Sequence, residues 1–218
     1  MKLEKKPNPL RGELKRPVYT HDTICIYTDG GCLGNGKAVN TGAWAYVIVG
    51  KGHTIFENVG VEENTSNNQM ELQAALHALE VVLHMNMTEP IVLHTDSMYL
   101  VQGVYTWRPG WEKKNYQDIK NKELWEDLFY LIDKLPNLHI TWIKAHQTDD
   151  SRNTYYNNYV DDKCTAAINI KLGIEGKLPA LKSPVATKTS DDLLVQVYES
   201  LLEQTKELGK YLKSKKLI

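Results

Sequence analysis

Few cysteines, no long apolar run and almost no net charge are the first features of this 218-residue chain. Its three cysteines, Cys25, Cys32 and Cys164, are odd in number and share no repeated spacing. That argues against a disulfide framework and for a reducing compartment, so a cytoplasmic location is expected. With no Cys-x-x-Cys and no paired-histidine spacing, zinc has no evident ligand set. No apolar stretch approaches the ~18–20 residues that a membrane span needs, and no membrane partner is expected. The opening, MKLEKKPNPLRGELKRP, has no apolar centre of a secretory signal, and Glu4, Glu13 and its prolines spoil a transit-type amphipathic helix. Residues 1–22 are expected to be a tail. A formal net charge of −1 excludes a globally basic nucleic-acid binder, though not a local basic face.

What is present suits a packed core: 42% of residues are hydrophobic and 24% charged. Thr23–Asp29, Ala43–Val49 and, more weakly, His53–Gly60 read as strands rich in β-branched and aromatic residues, separated by Gly- and Asn-containing turns. Ser66–Met87 reads as a helix, with Met70, Leu72, Leu76, Leu79 and Leu83 near helical spacing and Ser66 or Asn67 as N-cap. Pro90 resets the chain into a strand, Ile91–Asp96, and Ser97 is placed to cap a short helix. Lys120–Leu135 is a further helix stopped by Pro136, Leu138–Lys144 a strand, and Asn157–Ile170 a last helix ending near Gly173. The order β-β-β-α-β-α-α-β-α describes an α/β domain over residues 23–172. Residues 173–190 have linker composition. Residues 191–218 form a C-terminal amphipathic helical extension, with Leu194, Leu201 and Leu208 seven apart. Its pattern leaves open whether it docks on its own domain, a partner or a second copy.

Four acids occupy suggestive places. Asp29 and Asp96 end strands, Glu71 lies in the first turns of the long helix, and Asp161 lies near the start of the last one. Strand ends and helix starts meet at one rim of an α/β sheet. Four carboxylates gathered there repel one another unless cations neutralise them, and hard divalent ions with oxygen ligands do so. Singly, an Asp at a strand end is usually a turn residue and a Glu in a first helical turn usually serves the helix dipole.

The surrounding words narrow the choice. Tyr27-Thr28-Asp29-Gly30-Gly31-Cys32-Leu33-Gly34-Asn35, Asn67-Asn68-Gln69-Met70-Glu71-Leu72, and His94-Thr95-Asp96-Ser97 come first. Trp142-Ile143-Lys144-Ala145-His146 and Asn157-Asn158-Tyr159-Val160-Asp161 follow in order. Together these five blocks resemble the type 1 ribonuclease H family. The resemblance implies a ribonuclease H-like fold, a five-stranded mixed sheet with strands 1–3 as an antiparallel meander, then strands 4 and 5, flanked by helices. It implies hydrolysis of the RNA strand of RNA–DNA hybrids, with Asp29, Glu71, Asp96 and Asp161 holding two Mg²⁺ ions (Mn²⁺ can substitute), giving 5′-phosphate and 3′-hydroxyl ends. His146 would assist proton transfer or product release from a mobile loop. Asn35 and Asn67 match minor-groove readers, and Ser66 and Asn121 match a pocket for a DNA-strand phosphate. Trp107 and Trp111, followed by lysines, resemble a basic protrusion, although two aromatics four apart are more often core.

The chain departs from that pattern at several points. Asn64 stands where many relatives carry arginine and Met98 where glutamine is frequent. The 116–121 stretch is shorter, and the His146–Asp161 interval is longer, with Asp149, Asp150 and Arg152 in it. None of these touches an expected metal ligand. A binding module that kept the fold but lost catalysis is the competing reading. The complete acidic set speaks against it, because such a module needs no repelling acids.

Overall fold

The computed structural model describes Pro17 and residues 19–180. The expected C-terminal amphipathic helix, most of the linker and most of the N-terminal tail lie outside these residues. β1 is Ile24–Leu33, β2 Thr41–Gly50 and β3 His53–Glu63, followed by α1, Asn67–His84, and β4, Ile91–Thr95. A helical run then comprises α2, Met98–Gln102, a π-helical segment, Gly103–Trp107, and α3, Arg108–Lys113. α4 is Lys122–Lys134, β5 Leu138–Trp142 and α5 Arg152–Lys171.

The sheet order is β3-β2-β1-β4-β5, antiparallel from β3 to β1 and parallel from β1 to β5. This is the expected mixed sheet. β1 is central, so both of its faces are buried and its residues sort by parity. Ile24 and Ile26 pack with Leu72, Leu79, Leu93, Leu100, Trp125 and Leu128 beneath α1 and α4. Cys25 and Tyr27 pack with Val47, Tyr156, Tyr159, Val160 and Cys164 beneath α5. Side chains such as Leu72, Leu79 and Trp125 are fully buried, and each contributes on the order of 2–3 kcal/mol of transfer free energy. That anchors α1, and Glu71 with it, over the strand ends.

Several boundaries differ from the expectation. β1 continues past Asp29 because Gly30, Gly31, Cys32 and Leu33 pair with Trp44, Ala43, Gly42 and Thr41, so the glycines lie in the ladder and the turn comes later. β3 likewise extends to Glu63. The expected short helix after Ser97 is instead a continuous helical path of three pieces. Its π-helical widening coincides with Gly103, where any Cβ would meet the Trp125 ring at 2.0 Å. α5 begins at Arg152, five residues earlier than expected. Ser151 caps it by accepting from Thr154 N (3.2 Å), and Asp149 accepts from both Ser151 N (2.8 Å) and Thr154 Oγ1 (3.0 Å). This short-range capping made a helix start out of residues with loop-like composition.

At one sheet edge, Tyr105 takes the place of a neighbouring strand. Its hydroxyl donates to Ile140 O (2.9 Å) and accepts from Ile140 N (3.0 Å). Arg108 staples the same region, reaching Asp133 with both terminal nitrogens and Glu112 with Nε, over the Phe129 ring.

Candidate active site

Asp29 lies in β1, Asp96 immediately after β4, and Glu71 on the fifth residue of α1. β1 and β4 are parallel neighbours in register up to Thr28 and Thr95, so Asp29 and Asp96, the next residue of each, lie side by side where that ladder ends. Glu71 reaches them because residue 30 is glycine: a Cβ there would sit 2.2 Å from Glu71 N and 2.3 Å from Met70 C. The helix therefore lies directly against the strand backbone. One ligand atom from each of Asp29, Glu71 and Asp96 lies within 4.8 Å of the others.

The electrostatics follow from that crowding. Asp29 is 8% exposed, and burial, then the charges of Asp96 and Asp161, push its carboxyl from 3.8 up to about 7. Burial, then Asp29 and Asp96, raise Glu71 well above the usual carboxylate range, and its Oε2 is buried without a hydrogen-bond partner. An unpartnered buried carboxylate oxygen facing two more acids is costly by itself and is resolved by a cation. The donor set, all hard oxygen, fits a divalent ion.

Asp161 on α5 stands outside the tight triad. Its Oδ2 is 3.4 Å from His146 Nδ1. Burial raises its pKa, opposed by the His146 imidazole. His146 itself is 75% exposed. Three supporting residues were not singled out from sequence. Asn157 donates from Nδ2 to Asp96 Oδ2 (3.1 Å), Trp142 donates from Nε1 to Asp96 O (3.0 Å), and Cys164 donates from Sγ to Asp29 O (3.4 Å). Asn157, one helical turn before Asp161, and Trp142, the last residue of β5, both belong to the sequence blocks that carry the family resemblance, which was the available signal. Cys164 had none.

The remaining candidates fall into two groups. Asn35, in the β1–β2 loop, accepts from Asn67 N (3.2 Å) at the start of α1, so these two exposed residues lie together. Ser66 is the N-cap of α1, accepting from Gln69 N (3.3 Å) and donating to Gln69 Oε1 (3.0 Å). Asn64 has φ +56, a left-handed turn that asparagine tolerates. Asn121 precedes α4 with φ 59 and donates to Tyr99 OH (3.3 Å). Trp107 and Trp111 are half-buried, with ring centroids 5.5 Å apart, and Trp111 continues onto Trp125 at 5.2 Å. Trp111 thus packs against the core, as the commoner reading of such a pair has it.

The class is set by fold and site together: a mixed five-stranded sheet with acids gathered from within β1, just after β4 and near the start of α1. Among known proteins, the RNase H family profile matches residues 21–169. The ribonuclease H of Xanthomonas campestris pv. campestris is 40% identical over 134 residues, 58% of this chain and 83% of its own. That of Acetivibrio thermocellus is 38% identical over 154 residues, 66% and 94% respectively. Among solved structures, LC9-RNase H1, a type 1 RNase H with the type 2 active-site motif, shares the fold with a TM-score of 0.56 at 20% identity, over 81% of this chain and 86% of its own. LC11-RNase H1 in complex with RNA/DNA hybrid does so with a TM-score of 0.51 at 24% identity, over 68% and 99%. This chain belongs to the type 1 ribonuclease H family and is an endoribonuclease by class. Among the described residues, no helix is long and apolar enough to cross a membrane.

Proposed function

We propose that the chain hydrolyses the RNA strand of RNA–DNA hybrids endonucleolytically, leaving 5′-phosphate and 3′-hydroxyl ends. The observation that carries this is the Asp29–Glu71–Asp96 cluster, three acids from separate elements within 4.8 Å, one with a buried unpartnered oxygen. Support for the substrate comes from the relatives' name and from a hybrid-bound structure of the same fold. Residues 23–172 would be the catalytic unit, with 1–22, 173–190 and 191–218 as appendages.

Asp29, Glu71, Asp96 and Asp161 would hold two Mg²⁺ ions, with Mn²⁺ able to substitute. Bound there, the ions supply Lewis-acid activation of water and neutralise charge on the departing 3′ oxygen. The chain's own residues do the rest. Asn157 and Trp142 orient Asp96 from its carboxylate and its carbonyl. Glu71 also faces the ribose 2′-hydroxyl, the group that separates RNA from DNA. His146, exposed beside Asp161, handles a proton at the leaving group or aids product release. Asn35 and Asn67 read the minor groove, and Ser66 and Asn121 grip a DNA phosphate. Trp107, with Trp111 behind it and the nearby lysines, lies against the DNA strand.

The test is cleavage of a labelled hybrid by the purified full chain, with metal removed by chelation and then restored. Cutting is expected only with Mg²⁺ or Mn²⁺, with little attack on duplex DNA or free RNA. A folded chain that leaves the hybrid intact under both metals overturns the proposal.

A further inference from the structure

The interval between β5 and α5 carries His146, and side-chain amides hold the carbonyls of the residues on either side of it, Ala145 and Gln147. Gln147 Nε2 donates to Ala145 O at 2.8 Å, and Asn158 Nδ2 donates to Gln147 O at 2.9 Å. His146 between them has φ +50. A left-handed backbone costs a residue with a Cβ on the order of 1 kcal/mol, so it persists where neighbouring bonds hold it.

Asn158 and Asp161 are three apart on α5, hence on one face of one helix. The residue that anchors the loop and the carboxylate that meets His146 at 3.4 Å therefore share a rigid support. That support is itself fixed to the catalytic strand: Tyr27 OH donates to Asn153 Oδ1 at 2.8 Å, two residues from Asp29 in β1. The Asp149–Ser151–Thr154 bonds close the N-terminus of the same helix.

We propose that Asn158, acting through Gln147, is a positioning residue: this amide clasp fixes the carbonyls of Ala145 and Gln147, on either side of His146, so that the imidazole stands beside Asp161. The inference rests on the role given to His146 above. Asn158 touches no reacting group; it acts only through the loop.

The test is a double-mutant cycle on the full chain with hybrid substrate. Asn158→Ala is expected to lower kcat severalfold, by no more than His146→Ala does, with KM and Tm little changed, because alanine suits a helix interior. In a His146→Ala background the same change should cost nothing more. Gln147→Ala, outside the helix, should show the same dependence on His146 and serves if Asn158→Ala fails to fold. An unchanged kcat in the single variants, or an equal loss with and without His146, overturns the clasp. A wild-type chain that cuts no hybrid overturns the nuclease reading first, and the two failures are distinguished by that control.

Discussion

Replacing Asp29 with asparagine should stabilise the metal-free protein while abolishing its cleavage. The folded carboxyl titrates at about 7 in place of 3.8, chiefly because it is buried, and further because Asp96 and Asp161 face it. Between those values the folded chain keeps a proton that the unfolded chain has released, so stability falls as pH rises. The neutral carboxyl's advantage is fully present below pH 3.8 and is gone above about 7. Three units at about 1.4 kcal/mol each put the cost of the charged form at roughly 4 kcal/mol. Asparagine removes that charge but weakens the bond the carboxylate accepts from Gly30 N–H, so the net gain is expected to be about 1–3 kcal/mol at pH 8. The assay is denaturant unfolding in chelator at pH 8 and pH 5, for wild type and Asp29→Asn. The variant should be more stable at pH 8, with the difference shrinking toward acid. Added Mg²⁺ should stabilise wild type far more than the variant, since ligand that binds only the folded state adds RT ln(1 + [L]/Kd). If Asp29→Asn is no more stable than wild type at pH 8 in chelator, the crowded-acid argument is wrong.

Three further outcomes are expected. Gly30→Ala forces Cβ against the backbone of Met70 and Glu71; thermal melts should show a loss of about 1–3 kcal/mol, and hybrid cleavage should fall as Glu71 is displaced. His94 is buried neutral, its Nδ1–H donating to Ile26 O (3.2 Å) and its Nε2 accepting from Tyr19 OH (2.9 Å), and burial lowers its pKa from 6.5 to about 4. Its contribution to stability is therefore intact above pH 6.5 and lost as pH falls toward 4, opposite in sign to Asp29. His94→Gln should flatten the acid limb of stability against pH by roughly 2 kcal/mol between pH 6.5 and 5, and an acid limb as steep as wild type would refute it. Asp96→Asn should stop turnover with an unchanged circular dichroism spectrum, whereas His146→Ala should slow turnover without ending it; equal rates for His146→Ala and wild type would remove His146 from the chemistry.

Much of this fold was legible because its elements are spelled locally. Ile91–Thr95 is entirely apolar or buried, as a strand covered on both faces must be, and α1 carries its leucines at helical spacing behind a serine cap. Asp96 was legible as a residue at a strand end, whereas Asp29 lies inside β1; the convergence of the two followed from the parallel pairing of β1 with β4. What escaped depended on partners distant in sequence. Gly30 and Gly31 look like a turn and are ladder residues, because β2 supplies pairing and α1 presses on position 30. Gly103 marks a widening of the helix only once Trp125 is known to lie against it. The early start of α5 depended on Asp149, Ser151 and Thr154 bonding among themselves, which composition alone reads as loop. Tyr19, placed in the expected tail, stacks near His94 with centroids 6.0 Å apart, so the described end of that segment is packed against the domain.

The phenol of Tyr105 has a consequence for how these molecules behave in a crowd. β5 is the outermost strand on its side, and the main chain at Ile140 would otherwise present both a donor and an acceptor to any passing extended peptide. One hydroxyl satisfies both, so the rung on which a foreign strand would nucleate is taken. A single side chain thereby guards that edge against strand-on-strand aggregation.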